Sequence, residues 1–341
     1  MPARPLVLSC PLPRSLELLF TPDRLVELHA RYAVIDTNDA TLADLPDATL
    51  SQVRYIIGQP PLTQGTLTRL SQLRCIFNVE SNLILNMPYD DLFRRGIHVV
   101  TTGAVFAQPV AEIGLGMALS LLRNIHGADA DFRAGVERWG GAGNGQARLL
   151  SGASVGIIGF GDLGRALARV LAGFQLRLTV YDPWQAASIT RAGGAVPVDL
   201  ATLLGGSDVI FVTAAVTSEN QGFLGAKAFA AMRPGTAFVL LSRADVVDFP
   251  ALLAAIRTGH ITAASDVWPD EPLALDHPAR HLPGLLLSAH RAGALDVAFK
   301  RMGDMVLEDL TLLDNGLPPQ VCKRAEPETV GRMRSKPVLV N

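Results

Sequence analysis

Short runs of β-branched and other apolar residues alternate with helix-like stretches along most of this chain, and they form two sets. Repeated alternation of strand and helix is typical of parallel sheets that are covered by helices on both faces. The sequence therefore predicts an α/β protein with two parallel sheets. The predicted strands are residues 5–10, 32–36, 53–57, 75–77 and 98–100 in the first set, and residues 154–159, 176–182, 208–213, 237–242, 261–267 and 285–287 in the second.

A chain of 341 residues, 49% of them hydrophobic, is long enough to bury the cores of two domains. The second strand set makes one complete doubly wound domain, which we place at residues 105–295. An amphipathic helix over about residues 295–315 has no strand behind it, so we expect it to return to the first set. The first domain is then discontinuous, with residues 1–104 and 296–341. We expect the stretch after Pro318 to be an exposed or subunit-contacting extension.

The charge and cysteine content exclude several classes of partner. The formal net charge is -2, and basic residues are mixed with acidic ones, so no basic stripe is available for nucleic-acid phosphates. Cys10, Cys75 and Cys322 lie far apart and form no metal-type pair, which favours a reduced protein without a metal site. Pro11 and Pro13 interrupt the apolar N-terminus, and no other uncharged apolar run approaches membrane-spanning length. We therefore expect a cytoplasmic protein with no nucleic-acid or membrane partner.

Three glycines mark the turn from the first strand of the second set into the following helix. Gly159 permits a tight turn, Gly161 lets a pyrophosphate approach the backbone, and Gly164 lets helix and strand pack closely. The phosphates would lie at a helix N-terminus, where unpaired N–H groups and the helix dipole favour negative charge. The spacing predicts a dinucleotide site of the Rossmann type that includes Asp162 and Leu163.

The next predicted strand ends in a carboxylate, Asp182, at about the distance that a ribose-binding acid requires. Such a side chain can accept hydrogen bonds from both adenosine ribose hydroxyls and would repel a 2′-phosphate, so NAD is favoured over NADP. Neither Arg177 nor Arg191 is placed to reverse this preference. The alternative is that Asp182 only caps the loop before Pro183.

Three polar residues, Arg243, Glu271 and His290, follow late strands of the second set, at the sheet edge where doubly wound domains bind ligands. Hydride transfer to a 2-oxo acid requires a cation for the carboxylate, a proton donor for the developing alkoxide, and a group that holds this donor protonated. Arginine, histidine and glutamate fill these roles in that order. Other interpretations stay open: a surface ion pair for Arg243, a turn cap before Pro272 for Glu271, and His281 as a rival proton donor.

Several motifs in this chain occur together in one known family. They are Val110-Ala111-Glu112 with Leu121-Leu122-Arg123, Arg138-Trp139, the glycine turn, Arg243 with Val246-Val247-Asp248, Asp266-Val267 with Glu271-Pro272, and Ala289-His290 with Ala292-Gly293. On these residues the sequence resembles the D-isomer-specific 2-hydroxyacid dehydrogenases over nearly its whole length. The resemblance implies that Arg243 anchors the substrate carboxylate and carbonyl, that His290 is the acid/base, and that Glu271 is its partner.

The same resemblance implies further properties of the protein. Asp266 would hold the nicotinamide carboxamide of NAD, and Thr217 and Ser242 would lie near the cofactor. The first domain would be a flavodoxin-like substrate domain built from both chain ends. The substrate would be a small D-2-hydroxy acid or its 2-oxo acid, and the protein would form a homodimer through the cofactor domain and the helix at 110–125.

One loop departs from the family pattern. In the family, a glycine-rich loop after an early strand presents backbone N–H groups to the substrate carboxylate. Here the corresponding loop contains no glycine and carries an acid, Glu80. If Glu80 faced the substrate it would disfavour an anionic group, so it either turns away or contacts hydroxyls or an amine. The predicted substrate-binding residues are Asn78, Val79, Glu80, Ser81 and Arg243.

Two rival functions stay open at this point. The same fold also serves as a non-catalytic scaffold that senses NAD(H), although the set of Arg243, Glu271 and His290 favours an enzyme. A second rival is a dehydrogenase for another donor, such as phosphite. The two departures near the cofactor, Ala244 after the arginine and the loop that ends at Thr217, indicate an outlying subgroup.

Overall fold

The computed structural model describes residues 4–38, 41–80, 82–145 and 147–334. The chain divides into two compact units. Unit 1 comprises Met1–Phe106 and Ala294–Asn341, and unit 2 comprises Ala107–Gly293. Each unit contains one sheet.

The strands predicted from the sequence are all present, each within two residues of its predicted ends. In chain order the strands are β1 (Leu6–Cys10), β2 (Ala33–Asp36), β3 (Val53–Gly58), β4 (Cys75–Asn78), β5 (His98–Thr101), β6 (Ser154–Ile158), β7 (Arg177–Tyr181), β8 (Val196–Pro197), β9 (Val209–Val212), β10 (Thr236–Leu240), β11 (Ile261–Ser265), β12 (Leu285–Leu287) and β13 (Lys323–Arg324). Strands β8 and β13 were not predicted from the sequence, because two residues are too few to show a pattern.

The helices lie between these strands and after them. They are α1 (Leu16–Leu19), α2 (Pro22–Arg31), α3 (Asp47–Leu50), α4 (Gln64–Arg69), α5 (Tyr89–Arg94), α6 (Ala107–Arg123), α7 (Ile125–Ala134), α8 (Asp162–Leu171), α9 (Ala187–Ala192), α10 (Leu200–Gly206), α11 (Ala226–Ala230), α12 (Phe249–Arg257), α13 (Asp296–Asp314) and α14 (Pro327–Val330). Several begin at sequence-encoded caps. The Thr21 hydroxyl accepts the Arg24 N–H at the start of α2, and the Asp248 carboxylate accepts the Ala251 N–H at the start of α12.

The sheet of unit 1 has the strand order β13-β5-β4-β3-β1-β2. Strands β1 to β5 pair in parallel, and only β13 pairs antiparallel, with β5. The central strands are buried on both faces, as their nearly continuous apolar sequences require. Because the strands are parallel, the segments that follow β1, β3, β4 and β5 meet at one edge of this sheet.

The amphipathic helix expected after residue 295 is present as α13, and it packs within unit 1 against α1 and α2. Its buried face repeats every three or four residues, as an amphipathic helix requires. The buried residues of this face include Ala298, Met302, Met305, Val306 and Leu310.

The expectation of an exposed extension after Pro318 is wrong for the described part, which packs on unit 1, whereas the alternative of a subunit-contacting extension stays a prediction. Strand β13 adds to the edge of β5, and Cys322, Ala325 and Val330 are buried. The fully buried carboxylate of Asp309 accepts backbone N–H groups from residues 320, 321 and 322, which fixes the start of this segment. Residues 335–341 lie outside the described part of the chain.

The sheet of unit 2 has the strand order β12-β11-β10-β9-β6-β7-β8, and all of its strand pairs are parallel. The strand order reverses direction at β6 and β9, which are neighbours in the sheet although β7 and β8 come between them in the chain. This is the topology of a Rossmann-type doubly wound sheet, and ligands bind at the carboxyl ends of the strands near such a reversal.

Helix α6 belongs to the core of unit 2 and packs against α8 and β10. The helical stretch Gly103–Arg123, which includes α6, is long and apolar enough to cross a membrane by length and composition, and 44% of its apolar window is buried. The stretch contains Glu112 and Arg123, so it is not an uncharged apolar run of the kind that the sequence analysis excluded. A buried core helix passes the same test, and the close contact between Gly114 and Leu241 gives α6 a packing reason for its apolar sequence.

Candidate active site

The turn between β6 and α8 requires glycine at two positions for steric reasons. Gly159 has a φ of +90°, and a Cβ there would lie 2.5 Å from the Cα of Ala214. A Cβ at Gly164 would lie 2.4 Å from the carbonyl oxygen of Gly159. Gly161 differs, because a Cβ there would meet no atom within 4 Å. The turn is therefore closed around Gly159 and Gly164 and open at Gly161.

This open position fits a dinucleotide. Gly161 is the N-cap of α8, a helix of 10 residues, so the open space lies at unpaired N–H groups and at the positive end of a helix dipole. Asp162 begins the helix and forms an ion pair with Arg165 at 2.7 Å, and Leu163 is partly buried in the first turn. The residues predicted to hold the pyrophosphate are thus together at one turn.

Asp182 follows β7 and already holds the glycine turn. One carboxylate oxygen accepts the Phe160 N–H at 2.6 Å, and the other accepts the Trp184 N–H at 2.8 Å. A carboxylate oxygen has two lone pairs, so each keeps one for a ribose hydroxyl. The capping role and the ribose-binding role are therefore compatible in Asp182.

Two further residues predicted to lie near the cofactor follow β9 and β10. The Ser242 hydroxyl oxygen is buried and, within the described residues, has no hydrogen-bond partner. A buried hydroxyl without a partner is costly, and a polar group of a bound ligand would satisfy it. The Thr217 hydroxyl accepts the Glu219 N–H at 3.2 Å and so stabilises the loop after β9. The buried Ser242 hydroxyl is therefore, after the open position at Gly161, a second feature that fits a bound cofactor.

His290 and Glu271 contact each other directly in the candidate site. The Nδ1 atom of His290 lies 2.6 Å from Oε2 of Glu271, and the side chains are 28% and 34% exposed. The other carboxylate oxygen of Glu271 accepts the Trp268 N–H at 2.9 Å. Because the carboxylate fixes the proton on Nδ1, the Nε2 atom of His290 is the one that can exchange a proton with a ligand.

The same contacts determine the charge state of Glu271. Burial raises the pKa of its carboxyl, whereas hydrogen bonds from His290 and from the Trp268 N–H lower it. The positive charges of His290 and Arg243 act in the same direction as these hydrogen bonds, and the net result is a pKa below the ordinary value. Glu271 is therefore ionised at neutral pH.

The backbone of His290 is held in an uncommon conformation. Its φ is +48°, in the left-handed region, and its N–H donates to the Asp266 carbonyl at 2.7 Å. The buried carboxylate of Asp266 accepts the Ser288 hydroxyl and the N–H groups of Arg291 and Ala292. Asp266, predicted as a nicotinamide contact, thus also fixes the loop that carries His290.

Arg243 follows β10 and has an extended backbone. Its guanidinium donates to the Ser242 carbonyl at 2.7 Å. The positive charge of Arg243 also helps to lower the pKa of the Glu271 carboxyl. The structure thus brings Arg243, Glu271 and His290 to the carboxyl edge of one sheet. His281, the rival proton donor, is exposed on another segment of unit 2.

The predicted substrate loop of unit 1 is held by its own side chains. Asn78 is fully buried, and its amide accepts the Glu80 N–H and donates to the Asn82 carbonyl, both at 2.7 Å. The Thr101 hydroxyl donates to the Glu80 carbonyl at 3.0 Å. The N–H of Glu80 is therefore used within the loop, in place of the glycine backbone that the family pattern has. Ser81 lies outside the described residues.

Glu80 faces a cation that the sequence analysis missed. An ion pair joins Nη2 of Arg14 to Oε2 of Glu80 at 3.6 Å, and the side chains are only 12% and 13% exposed. Arg14 follows β1 and also donates to the Val79 carbonyl. The charge of Glu80 is thus compensated within unit 1. The available signal was the place of Arg14 after the first strand, at the same sheet edge as Glu80.

The chain is similar to proteins of one known family. A family model described as D-isomer specific 2-hydroxyacid dehydrogenase, NAD binding domain, matches residues 115–292. A glyoxylate reductase from Thermococcus litoralis is 30% identical over 247 residues, which are 70% of this chain and 74% of that protein. A D-3-phosphoglycerate dehydrogenase from Archaeoglobus fulgidus is 30% identical over 234 residues, 68% of this chain and 44% of that protein. The crystal structure of a phosphoglycerate oxidoreductase from Rhizobium etli is 60% identical, with a TM-score of 0.89, and the match covers 96% of this chain and 100% of that one.

The chain belongs to the D-isomer specific 2-hydroxyacid dehydrogenase family. It is an NAD-dependent oxidoreductase that acts on the CH–OH group of its donors, and its NAD-binding domain has the Rossmann fold. The predictions of this family, of the α/β fold and of NAD as the cofactor are confirmed. The substrate is a small 2-hydroxy or 2-oxo acid, as in the family.

Proposed function

We propose that the protein interconverts a small D-2-hydroxy acid and its 2-oxo acid, with His290 as the acid/base, Glu271 as its partner and Arg243 as the carboxylate anchor. The observation that supports this most is the 2.6 Å contact between Nδ1 of His290 and Oε2 of Glu271, beside the charge of Arg243. A hydride acceptor carbon next to a carboxylate needs these three functions together.

The cofactor residues follow from the open turn. Gly159, Gly161, Asp162, Leu163 and Gly164 would hold the pyrophosphate, and Asp182 would hold the adenosine ribose. The residues that would lie along the nicotinamide half are Thr217, Ser242 and Asp266. When bound, NADH supplies the hydride, and NAD accepts one in the opposite direction.

Side chains of this protein would transfer the proton that accompanies the hydride. The Glu271 carboxylate keeps the Nδ1 proton of His290 in place and stabilises the imidazolium, so Nε2 can carry a second proton. In the reductive direction Nε2 of His290 donates that proton to the carbonyl oxygen of the substrate. In the oxidative direction it accepts the hydroxyl proton.

Arg243 binds the acid part of the substrate. A guanidinium matches a carboxylate with two parallel hydrogen bonds, which fixes the orientation of the neighbouring carbonyl. In unit 1 the backbone around Asn78, Val79, Glu80 and Ser81 would bind substrate. Unit 1 would then correspond to the predicted substrate domain (1–104 and 296–341) and unit 2 to the predicted cofactor domain (105–295), with bounds that differ by two residues. Two relatives are named glyoxylate reductase and D-3-phosphoglycerate dehydrogenase, so we propose a substrate in the size range between glyoxylate and phosphoglycerate.

We also propose a homodimer formed through unit 2. Helix α7 has no buried residue, and the exposed rings of Phe132 and Trp139 contact each other at 6.2 Å between centroids. Aromatic side chains at 61% and 75% exposure are costly in water and are typical of an interface. The exposed side of the neighbouring helix α6, which includes Gln108 and Glu112, would be the other part of this surface.

The direct test is an assay of purified protein with NADH and a panel of 2-oxo acids that includes glyoxylate, followed through the reduced nicotinamide absorbance. We expect oxidation of NADH with at least one acid of the panel. NADH binding without oxidation would favour a sensing scaffold. Reduction of NAD by phosphite alone would favour the rival donor. Either result would reject the proposed function.

A further inference from the structure

The loop after β4 has a charge arrangement that the proposed mechanism does not use. Glu80 and Arg14 form an ion pair of 3.6 Å with both side chains nearly buried. Removing one partner of such a pair takes away the opposite charge that stabilises the buried charge of the other. The electrostatic effect of this loop on a ligand therefore depends on Arg14 as much as on Glu80.

Arg14 is held firmly in its place. Its guanidinium lies over two rings, 5.7 Å from the centroid of Phe106 and 5.1 Å from that of Phe299. Such cation–π contacts stabilise a desolvated guanidinium and fix its plane. The same group donates to the Val79 carbonyl. Arg14 thus contacts both the acid of the loop and the backbone of the loop.

We propose that Arg14 is a positioning residue for substrate binding: it neutralises Glu80 and fixes the backbone of residues 78–80, so that this loop accepts the carboxylate of a 2-oxo acid without glycine. The inference rests on the proposed substrate-binding role of this loop. Arg14 is then a specificity determinant that permits a negatively charged substrate group beside Glu80.

The electrostatic sign makes the proposal testable. With Arg14 removed, the buried negative charge of Glu80 repels an anionic substrate, and at an effective dielectric near 20 a unit charge several ångströms away changes affinity by about tenfold or more. With Glu80 neutralised, the charge of Arg14 attracts the same substrate. A merely structural role predicts a loss of affinity in both variants.

The experiment measures KM and kcat for glyoxylate with four variants, Arg14→Met, Glu80→Gln, the double variant, and Arg24→Met as the matched control. Arg24 also forms ion pairs in unit 1, with Glu27 and Asp304, but its side chain is 46% exposed. We expect R14M to raise KM about tenfold with kcat within about threefold, and E80Q to lower KM about threefold. The double variant should return KM to within about threefold of wild type, and R24M should match wild type.

A KM that rises in both single variants and rises further in the double variant would overturn the proposal. If R14M does not fold, Arg14→Lys keeps the charge and should keep KM near the wild-type value, and a KM raised by E80Q alone would still overturn the inference. If the wild-type protein reduces no 2-oxo acid, binding of oxamate to the NADH-loaded variants by calorimetry gives the same comparison. Oxamate affinities that do not follow this order overturn the inference, whereas the missing turnover itself rejects the proposed function.

Discussion

The two parallel sheets present loops at the same kind of edge, but they hold these loops by different means. In unit 2 the turn after β6 depends on glycine, because Gly159 has a positive φ and Gly164 leaves no room for a Cβ. In unit 1 the loop after β4 contains no glycine and is fixed by Asn78 and by the ion pair of Arg14 with Glu80.

The difference shows which requirement each loop meets. A loop that admits a pyrophosphate against its backbone needs space, and only glycine supplies it. A loop that is closed by side chains instead depends on the chemistry of those side chains. We therefore expect substitutions in the unit 2 turn to act through steric exclusion, and substitutions in unit 1 to act through charge and hydrogen bonding.

The largest effect is expected at His290, whose left-handed backbone is held without glycine, by hydrogen bonds from residues 290–292 to Asp266. His290→Ala removes the proton donor, so kcat should fall by about 10²- to 10⁴-fold. The affinity for NADH, measured by fluorescence titration, should stay within about threefold of wild type. His281→Ala is the matched control and should keep full activity; a large loss in that variant instead would move the proton donor to His281.

The second prediction contrasts two glycines of the same turn. At Gly161 an added Cβ meets open space in the protein, so Gly161→Ala should fold normally but bind NADH about tenfold more weakly. At Gly164 the added Cβ meets the Gly159 carbonyl oxygen, so Gly164→Ala should lower the free energy of unfolding by about 1–3 kcal/mol. Thermal unfolding and NADH titration of both variants check this. Equal losses of stability in the two variants would contradict the inference that the turn is open at Gly161 and closed at Gly164.

The smallest effect concerns a hydrogen-bonded cluster in unit 1. The hydroxyls of Tyr32 and Tyr55 both donate to the carboxylate of Asp314, at 2.5 Å and 2.8 Å. Burial, followed by these bonds to Asp314, raises the pKa of both tyrosines above their ordinary value. The folded state thus binds these protons more tightly than the unfolded state, so their contribution is complete below pH 10 and is lost as the pH rises above about 10.

Denaturant unfolding at several pH values tests this contribution. At pH 8, Tyr32→Phe/Tyr55→Phe should be less stable than wild type by about 1 kcal/mol for each hydrogen bond lost. Between pH 9 and pH 11 the wild-type protein should lose more stability than the double variant. Parallel pH curves for the two proteins would show that the tyrosine protons do not contribute.

Most of the fold can be predicted from the sequence, because the pattern of apolar residues within a strand or an amphipathic helix indicates which of its residues are buried. The β6 and β10 runs and the α13 helix are examples. The segment after Pro318 was not recognised, because its burial depends on Asp309, on another helix, and on addition to an edge strand. Such long-range contacts have no periodic pattern in the sequence.

The candidate site shows the same limit. Residues at the carboxyl ends of strands, such as Glu271 and His290, are recognisable because topology brings such ends together. The contact of Arg14 with Glu80 joins segments that are 66 positions apart, and a lone arginine after a strand has many possible partners. The roles proposed for these residues, the homodimer and the cytoplasmic location stay predictions.

The most direct test of the proposed function follows the hydride itself. NADH carrying two deuterium atoms on its reactive nicotinamide carbon is incubated with the protein and pyruvate or another 2-oxo acid that gives a chiral product, and the 2-hydroxy acid is recovered. We expect deuterium on carbon 2 of a product with the D configuration. A product without deuterium, or one with the L configuration, would contradict the proposed reaction.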